Sequence, residues 1–337
     1  MELSRDDSKM IQGLSVLAMV WLHLFNKSYV GLFTPILFWN EVPISFYISQ
    51  LCDFCVFGFA FCSGYGHMKQ MDSPNFYKHR LKNLLPLLCN YWLVIVVFSV
   101  LSIILGQHSQ MPGSVGKLIM NVITLDNSYN GAWRYMFSYI MLVLLSPVLM
   151  KGVRRFHPIL VLGIGFVIYC ISFYIRFYYP VSNWFLAKIG PLGMTLFEYL
   201  IGAECSNYQL FSKIYAKRTH ISNKVCGVIE GIVLIGILYG HTKIIPNVFI
   251  APITGFVIIS IFHFMRKPNV IKKFFLFIGS HSTNIWLTHM FFYSVLFGNL
   301  VYIAKYPLCI FTFMVGIVIS VSIILKTILK SIQCVIR

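Results

Sequence analysis

The sequence predicts an all-α, polytopic membrane protein of about ten transmembrane helices with both termini cytoplasmic. Three observations carry this. Of 337 residues, 58% are hydrophobic and only 11% are charged; a soluble domain carries about 25% charge. Too few polar side chains remain to cover a globule of this size, and the chain is far too apolar for disorder. The apolar residues fall in runs near the roughly 20 residues that a spanning helix needs, with no alternating barrel pattern. The Lys and Arg residues collect in every second gap between those runs.

Ten segments follow, at approximately 10–33, 45–63, 84–105, 133–150, 158–175, 190–206, 225–240, 246–265, 276–298 and 307–325. The first, "MIQGLSVLAMVWLHLF", continues past any signal-peptide h-region and lacks an A-x-A exit, so it is expected to stay as a helix. The second, "QLCDFCVFGFAFC", holds one carboxylate, Asp53. It runs into Ser63-Gly64-Tyr65-Gly66, read as a glycine turn. The third follows the basic block "YKHRLKNLLP" and contains Pro86. The longest non-spanning stretch, 106–132, is rich in Gly, Pro, Asn and Ser and reads as an outer loop or re-entrant cap. In the sixth, Glu198 and Glu204 are six apart, about 120° off-phase on a helix, so they do not form a paired acid and base. Glu230 in the seventh is an expected interhelix hydrogen-bond partner.

With the N-terminus inside, Lys27, Lys117, Arg134, Arg176, Lys188, Lys243 and Lys305 fall outside, and the rest of the 27 Lys and Arg fall inside. This alternation supports an even number of crossings. The net charge of +17 would suggest nucleic acid in a soluble protein. Here it marks topology and contact with anionic membrane lipids, and no nucleic-acid partner is expected. Residues 1–337 read as one membrane domain without internal repeat, which disfavours the commonest transporter plans. The one C-x-x-C, Cys52 and Cys55, lies within a predicted span and reads as packing, so no metal site is expected.

An ionisable side chain in hydrocarbon costs about 2.5–3.5 kcal/mol on insertion scales and marks a functional candidate. His23 stands thirteen residues after Met10, roughly 20 Å along a helix, past the midplane. A neutral imidazole is cheaper to bury than a fixed charge and still accepts a proton, as a hydroxyl-activating base must. The alternative is a packing histidine bonded to a neighbouring carbonyl. His289 in "GSHSTNIWLTHMFFY" is again mid-membrane beside Asn284, Thr288 and Trp286, and orients a partner, lines the same cavity or makes a structural hydrogen bond; His281 is expected at the interface. Asp53 is a possible orienting acid for His23, as in a triad, or else pairs with a Lys or Arg or sits near the outer interface. Ser63, the Gly64 amide and Asn284 are candidate oxyanion donors. Gly64 and Gly66 permit close backbone approach to a ligand. Lys78, Arg80 and Lys82 form a patch suited to phosphate, or serve only as an inside topology signal.

The blocks "KMIQGLSVLAMVWLHLF", "FAFCSGYG", "YKHRLKNLLP", "GAWRYMFSYIMLVLLSPVL" and "GSHSTNIWLTH", in this order, resemble acyltransferase family 3 of integral-membrane O-acyltransferases over nearly the whole chain. The resemblance implies transfer of an acyl group, most often acetyl, onto a hydroxyl of a cell-surface or lipid-linked glycan in a bacterial cytoplasmic membrane. The implied donor is cytoplasmic acyl-CoA (acetyl-CoA), a co-substrate rather than a tightly bound cofactor. The family's intramembrane His falls on His23 and the first Arg of its basic pair on Arg80. His23 then acts as general base or carries a transient acyl group. Two positions depart from the family pattern: Gln12 and Asn83 stand where Arg is usual. A transporter or flippase of a polysaccharide or lipid intermediate, or an inactive relative, are the alternative readings.

Overall fold

The computed structural model describes residues 2–26, 31–179, 184–243, 248–298 and 300–336, with backbone alone at 223–224, 242–243 and 332–336. Lys27 and Arg337, used above as topology markers, lie outside the described residues, as do the side chains of Lys224 and Lys243.

Helix α1 (Arg5–Phe25) opens on a capping box: the Ser4 hydroxyl accepts from the Asp7 amide at 3.0 Å, and the Asp7 carboxylate accepts from the Ser4 amide at 3.0 Å. This satisfies two amides that a helix start otherwise leaves orphaned. A small hairpin follows, β1 (Phe38–Trp39) paired antiparallel with β2 (Val42–Pro43) through Asn40 and Glu41, both at positive φ. Helices α2 (Ile44–Leu51) and α3 (Cys55–Lys69) are one helical run broken by a 3-10 turn, Cys52–Phe54, at Asp53. Helix α4 (Phe76–Ile104) begins eight residues before the predicted third segment, so the basic block is helical. The short α5 (Val115–Val122) lies within the predicted outer cap. Helices α6 (Arg134–Arg155), α7 (Pro158–Phe177), α8 (Trp184–Asn207) and α9 (Leu210–Arg218) follow. The chain closes with α10 (Asn223–Lys243), α11 (Ala251–Phe264), α12 (Asn269–Met290) and α13 (Pro307–Ile336).

Among the described residues six stretches are long and apolar enough to cross a membrane: Arg5–Phe25, Ile44–Lys69, Phe76–Ile104, Gly131–Arg155, Pro158–Phe177 and Pro307–Ser331. The other four predicted segments coincide with α8, α10, α11 and α12. Helices α10 and α11 contain shorter apolar stretches. Helices α8 and α12 carry the polar load, with Lys188, Glu198 and Glu204 in one and His281, Asn284 and His289 in the other, all buried. They are less apolar because they face the protein interior rather than lipid.

Two glycine seams set the helix spacing. A Cβ on Gly13 of α1 would strike the Phe275 carbonyl and Gly279 of α12, and one on Gly279 would strike the Lys9 carbonyl. A Cβ on Gly64 of α3 would strike the Tyr199 carbonyl of α8, and one on Gly202 would strike the Phe61 carbonyl. Backbones in direct contact give dense dispersion packing, the driving force available to helices in lipid. The predicted glycine turn at 63–66 is therefore absent. These residues sit inside α3, and Gly64 is a packing glycine. Gly66 is also helical, with no neighbour near its would-be Cβ.

The cap is tied down by donors to backbone carbonyls. Tyr91 donates to Asn121 at 2.7 Å and Trp184 to Leu125 at 2.8 Å. Asn130 and Trp133 both donate to the Leu287 carbonyl at 3.0 Å, and Trp286 donates to Ala132 at 2.9 Å. Within the cap, burial raises the Asp126 carboxyl, but hydrogen bonds from Ser128, Asn127 and Asn121 outweigh it and hold it below its ordinary value. Glu230 pairs with Arg218 of α9, as an interhelix partner should.

Candidate functional site

A cavity of about 530 Å³ runs through the bundle between α1, α3, α6, α8 and α12. Each wall is a helical stripe. Gln12, Met19 and His23 face it from α1, at spacings of seven and four. Phe59 and Ser63 face it from α3, Tyr135 and Tyr139 from α6, and Trp286 and Met290 from α12. One end lies near the α1 N-terminus, at Gln12 and Asn83; the other lies at Asp53, Arg134 and Arg176. The lining mixes apolar and aromatic side chains with polar ones, Gln12, His23, Asp53, Arg134, Arg176 and Glu198 among them.

His23 lines this cavity, and His289 stands behind it, fully buried and off the wall. Their rings are stacked at 15°, with His23 Nδ1 2.7 Å from His289 Nε2. The other nitrogen of His289, Nδ1, lies 2.9 Å from the Trp286 carbonyl and 3.1 Å from that of Ile285. A carbonyl only accepts, so His289 Nδ1 carries the proton and donates. In neutral rings, the form that burial favours, His289 Nε2 then has a lone pair and accepts from His23 Nδ1–H. The network thus assigns the tautomer. It leaves His23 Nε2 as the unprotonated nitrogen, without a hydrogen bond among the described residues.

This corrects the expected role of Asp53. The group on His23 Nδ1 is His289. Asp53 lines the cavity but accepts from the Val248 amide at 3.0 Å, with His241 3.8 Å away. The expected oxyanion donors are also displaced. Ser63 lines the cavity, yet its hydroxyl donates to the Phe59 carbonyl at 2.8 Å. Gly64 is consumed by the seam with α8. Asn284 lies off the wall, accepting from Asn90 at 2.5 Å and donating to the Ser322 carbonyl at 3.3 Å. His281 is buried in the protein, its Nδ1 2.8 Å from the Ser322 hydroxyl.

Of the basic patch, Lys78 and Lys82 are exposed and off the cavity wall. Arg80 is half-buried. It donates to Gln70, lies 5.3 Å over the Phe76 ring and reaches Tyr139 of the wall electrostatically. Asn83, one turn on from Arg80, forms the rim itself. Both positions that depart from the family pattern, Gln12 and Asn83, are therefore on the cavity.

A family model described as an acyltransferase domain matches residues 7–327. The chain belongs to this acyltransferase family. Neither the curated proteins nor the solved structures offered a match. The long apolar helices and the family together make this acyltransferase an integral membrane protein. Sequence reasoning missed Tyr135, Tyr139, Arg176, Glu198 and Trp286 as lining residues of the acyltransferase. For Tyr135, Tyr139, Glu198 and Trp286 the available signal was a spacing of three or four from other lining residues on their own helices, a signal that Arg176 lacks on α7. Arg176 was read only as a topology marker, because charge near a span end is the ordinary pattern.

Proposed function

We propose that the acyltransferase is a bacterial inner-membrane O-acyltransferase. It moves an acyl group, acetyl in the first instance, from cytoplasmic acyl-CoA to a hydroxyl of a cell-surface or lipid-linked glycan. In this reading all ten predicted segments cross the membrane and both termini are cytoplasmic. The observation that carries it is the His23–His289 pair, which presents an unprotonated imidazole nitrogen to a cavity whose rim adjoins Arg80.

The donor's phosphates meet Arg80 at the inner rim, and the pantetheine arm threads past Asn83 and Gln12 toward His23. Lys78 and Lys82, exposed nearby, add a long-range cationic field. His23 Nε2 takes the proton of the acceptor hydroxyl as its oxygen attacks the thioester carbonyl. The imidazolium so formed keeps its Nδ1–H on His289, whose orientation two backbone carbonyls hold. The carbonyl oxygen becomes an oxyanion. Arg134, a cavity residue within electrostatic reach of His23, supplies the compensating charge. Collapse of the tetrahedral intermediate expels the CoA thiolate, which recovers the proton from His23. The products are the ester and the free thiol. A route through acyl-His23 uses the same Nε2 lone pair as nucleophile.

Membranes bearing the protein, given labelled acetyl-CoA, are expected to place label in glycan or lipid. His23→Ala should reduce this by about 10²- to 10⁴-fold, the usual contribution of a general base. Full transfer by a correctly inserted His23→Ala protein refutes the mechanism. A catalytically silent relative is the second reading, favoured by Gln12 and Asn83 on the cavity wall. It predicts no label from the wild-type protein and a gain from Gln12→Arg with Asn83→Arg.

A further inference from the structure

The end of the bundle where α1 begins carries a cluster of like charge that the proposed reaction does not use. The Lys9 side chain of α1 lies across Gly279 of α12, its Cγ 3.1 Å from the place a Cβ there would take. The next residue of α12, Ser280, accepts at its carbonyl from Lys326 Nζ of α13 at 2.6 Å. Lys330 follows Lys326 on α13 by four residues, about one helical turn. The charges that act on Lys326 are those of Lys9 and Lys330, both cations. None of the three pairs with a carboxylate among the described residues. Lys326 is partly buried, and the Ser280 carbonyl takes only one of its three N–H donors. On the other side of Lys326, Ile323, Ile319 and Gly316 continue its stripe along α13 at spacings of three, four and three. Ile323 and Gly316 are exposed and Ile319 is half-buried. They belong to a stretch long and apolar enough to span a membrane, Pro307–Ser331.

We infer that Lys9, Lys326 and Lys330 hold the phosphate of an anionic phospholipid of the adjoining leaflet, with an acyl chain along the Ile319–Ile323 stripe of α13. Like charges gathered without a carboxylate repel one another, and a bound anion relieves that repulsion. Ammonium groups donate only, so their partner must accept, as phosphate oxygens do. The apolar stripe ending in the cluster selects an amphiphile over a soluble phosphate. A zwitterionic headgroup brings its own cation, which three lysines repel; a headgroup with a neutral alcohol on the phosphate does not. The net positive charge draws anionic lipid to the whole basic face. The cluster goes further and fixes one lipid between α1, α12 and α13, the first two of which carry His23 and His289. The inference requires a membrane but no acyl transfer, so it stands or falls apart from the enzymatic reading.

The test titrates the full chain in detergent with phosphatidylglycerol and with phosphatidylcholine of the same acyl chains, and reads the first bound lipid by native mass spectrometry. Phosphatidylglycerol is expected to bind about tenfold or more tightly than phosphatidylcholine. Lys326→Gln with Lys330→Gln should abolish that preference. Lys326→Arg with Lys330→Arg should keep it, which separates charge from packing. Lys213→Gln with Lys217→Gln removes two exposed charges from α9 and should leave the preference intact. If the Lys326 variant does not elute as a folded species, Lys9→Gln with Lys330→Gln gives the same reading. Equal affinity for the two lipids, an undiminished preference in the Gln variants, or an equal loss in the α9 control overturns the site. Displacement of the lipid by inorganic phosphate overturns the acyl-chain contact, and displacement by coenzyme A alone reassigns the lysines to a nucleotide and overturns the lipid.

Discussion

His289 touches no surface of the cavity, yet it decides which nitrogen of His23 is free. In the proposed reaction it is a positioning residue, and its removal should show in kcat rather than in binding. For His289→Ala, measured with labelled acetyl-CoA on washed membranes, kcat should fall about 100-fold or more, with the donor KM little changed. His289→Gln should recover part of the loss, because a side-chain amide oxygen can accept from His23 Nδ1–H. A donor KM that rises in parallel would make His289 a packing residue instead. The two histidines themselves were legible in the sequence, because an ionisable group inside an apolar run stands out. Their partnership was not. They are 266 residues apart, and periodicity along one helix is silent on which neighbour it meets. Asp53 looked the better partner only because the acid of a familiar triad is a carboxylate.

At the scale of the helices, the glycine seams hold two cavity walls. Gly64→Leu forces α3 and α8 apart and should destabilise the protein by about 1–3 kcal/mol or more, the usual overpacking cost. Gly66→Leu, with open space at its Cβ, should cost far less; thermal unfolding in detergent compares the pair. Helix existence was largely legible from hydropathy. Helix ends were not: α4 starts just before the basic block and takes all of it in, and α3 runs on through a sequence that locally resembles a turn. Ser and Gly favour turns in water, but dense packing against α8 overrides that preference. The cap makes its own prediction. The folded-state value of Asp126 is depressed, so its stabilising contribution is complete above the unfolded carboxylate value of about 3.9 and is lost as pH falls through the folded value. The melting temperature of Asp126→Asn should therefore lie below wild type near neutrality, and the gap should close in strong acid. A gap that persists or widens there would assign Asp126 no such role.

For the whole molecule, the reading requires the turn between α3 and α4 and the segment between α4 and α5 to lie on opposite sides of the membrane. Ser73→Cys and Ser109→Cys, both at exposed positions, should gain label from opposite faces when an impermeant thiol reagent is applied to inverted and right-side-out vesicles. Gain from the same face would overturn the topology. Basic-residue counting is what predicts this orientation; it is silent on the cavity, which is assembled by contacts between segments remote in sequence.

The clamp on the Leu287 carbonyl reaches further. Asn130 and Trp133 seize the peptide two residues before His289, so this segment grips the helix that carries His289. In the proposed reaction, a ligand that pulls on that segment, a bound polymer or an antibody fragment, would act on the His23–His289 pair without entering the cavity.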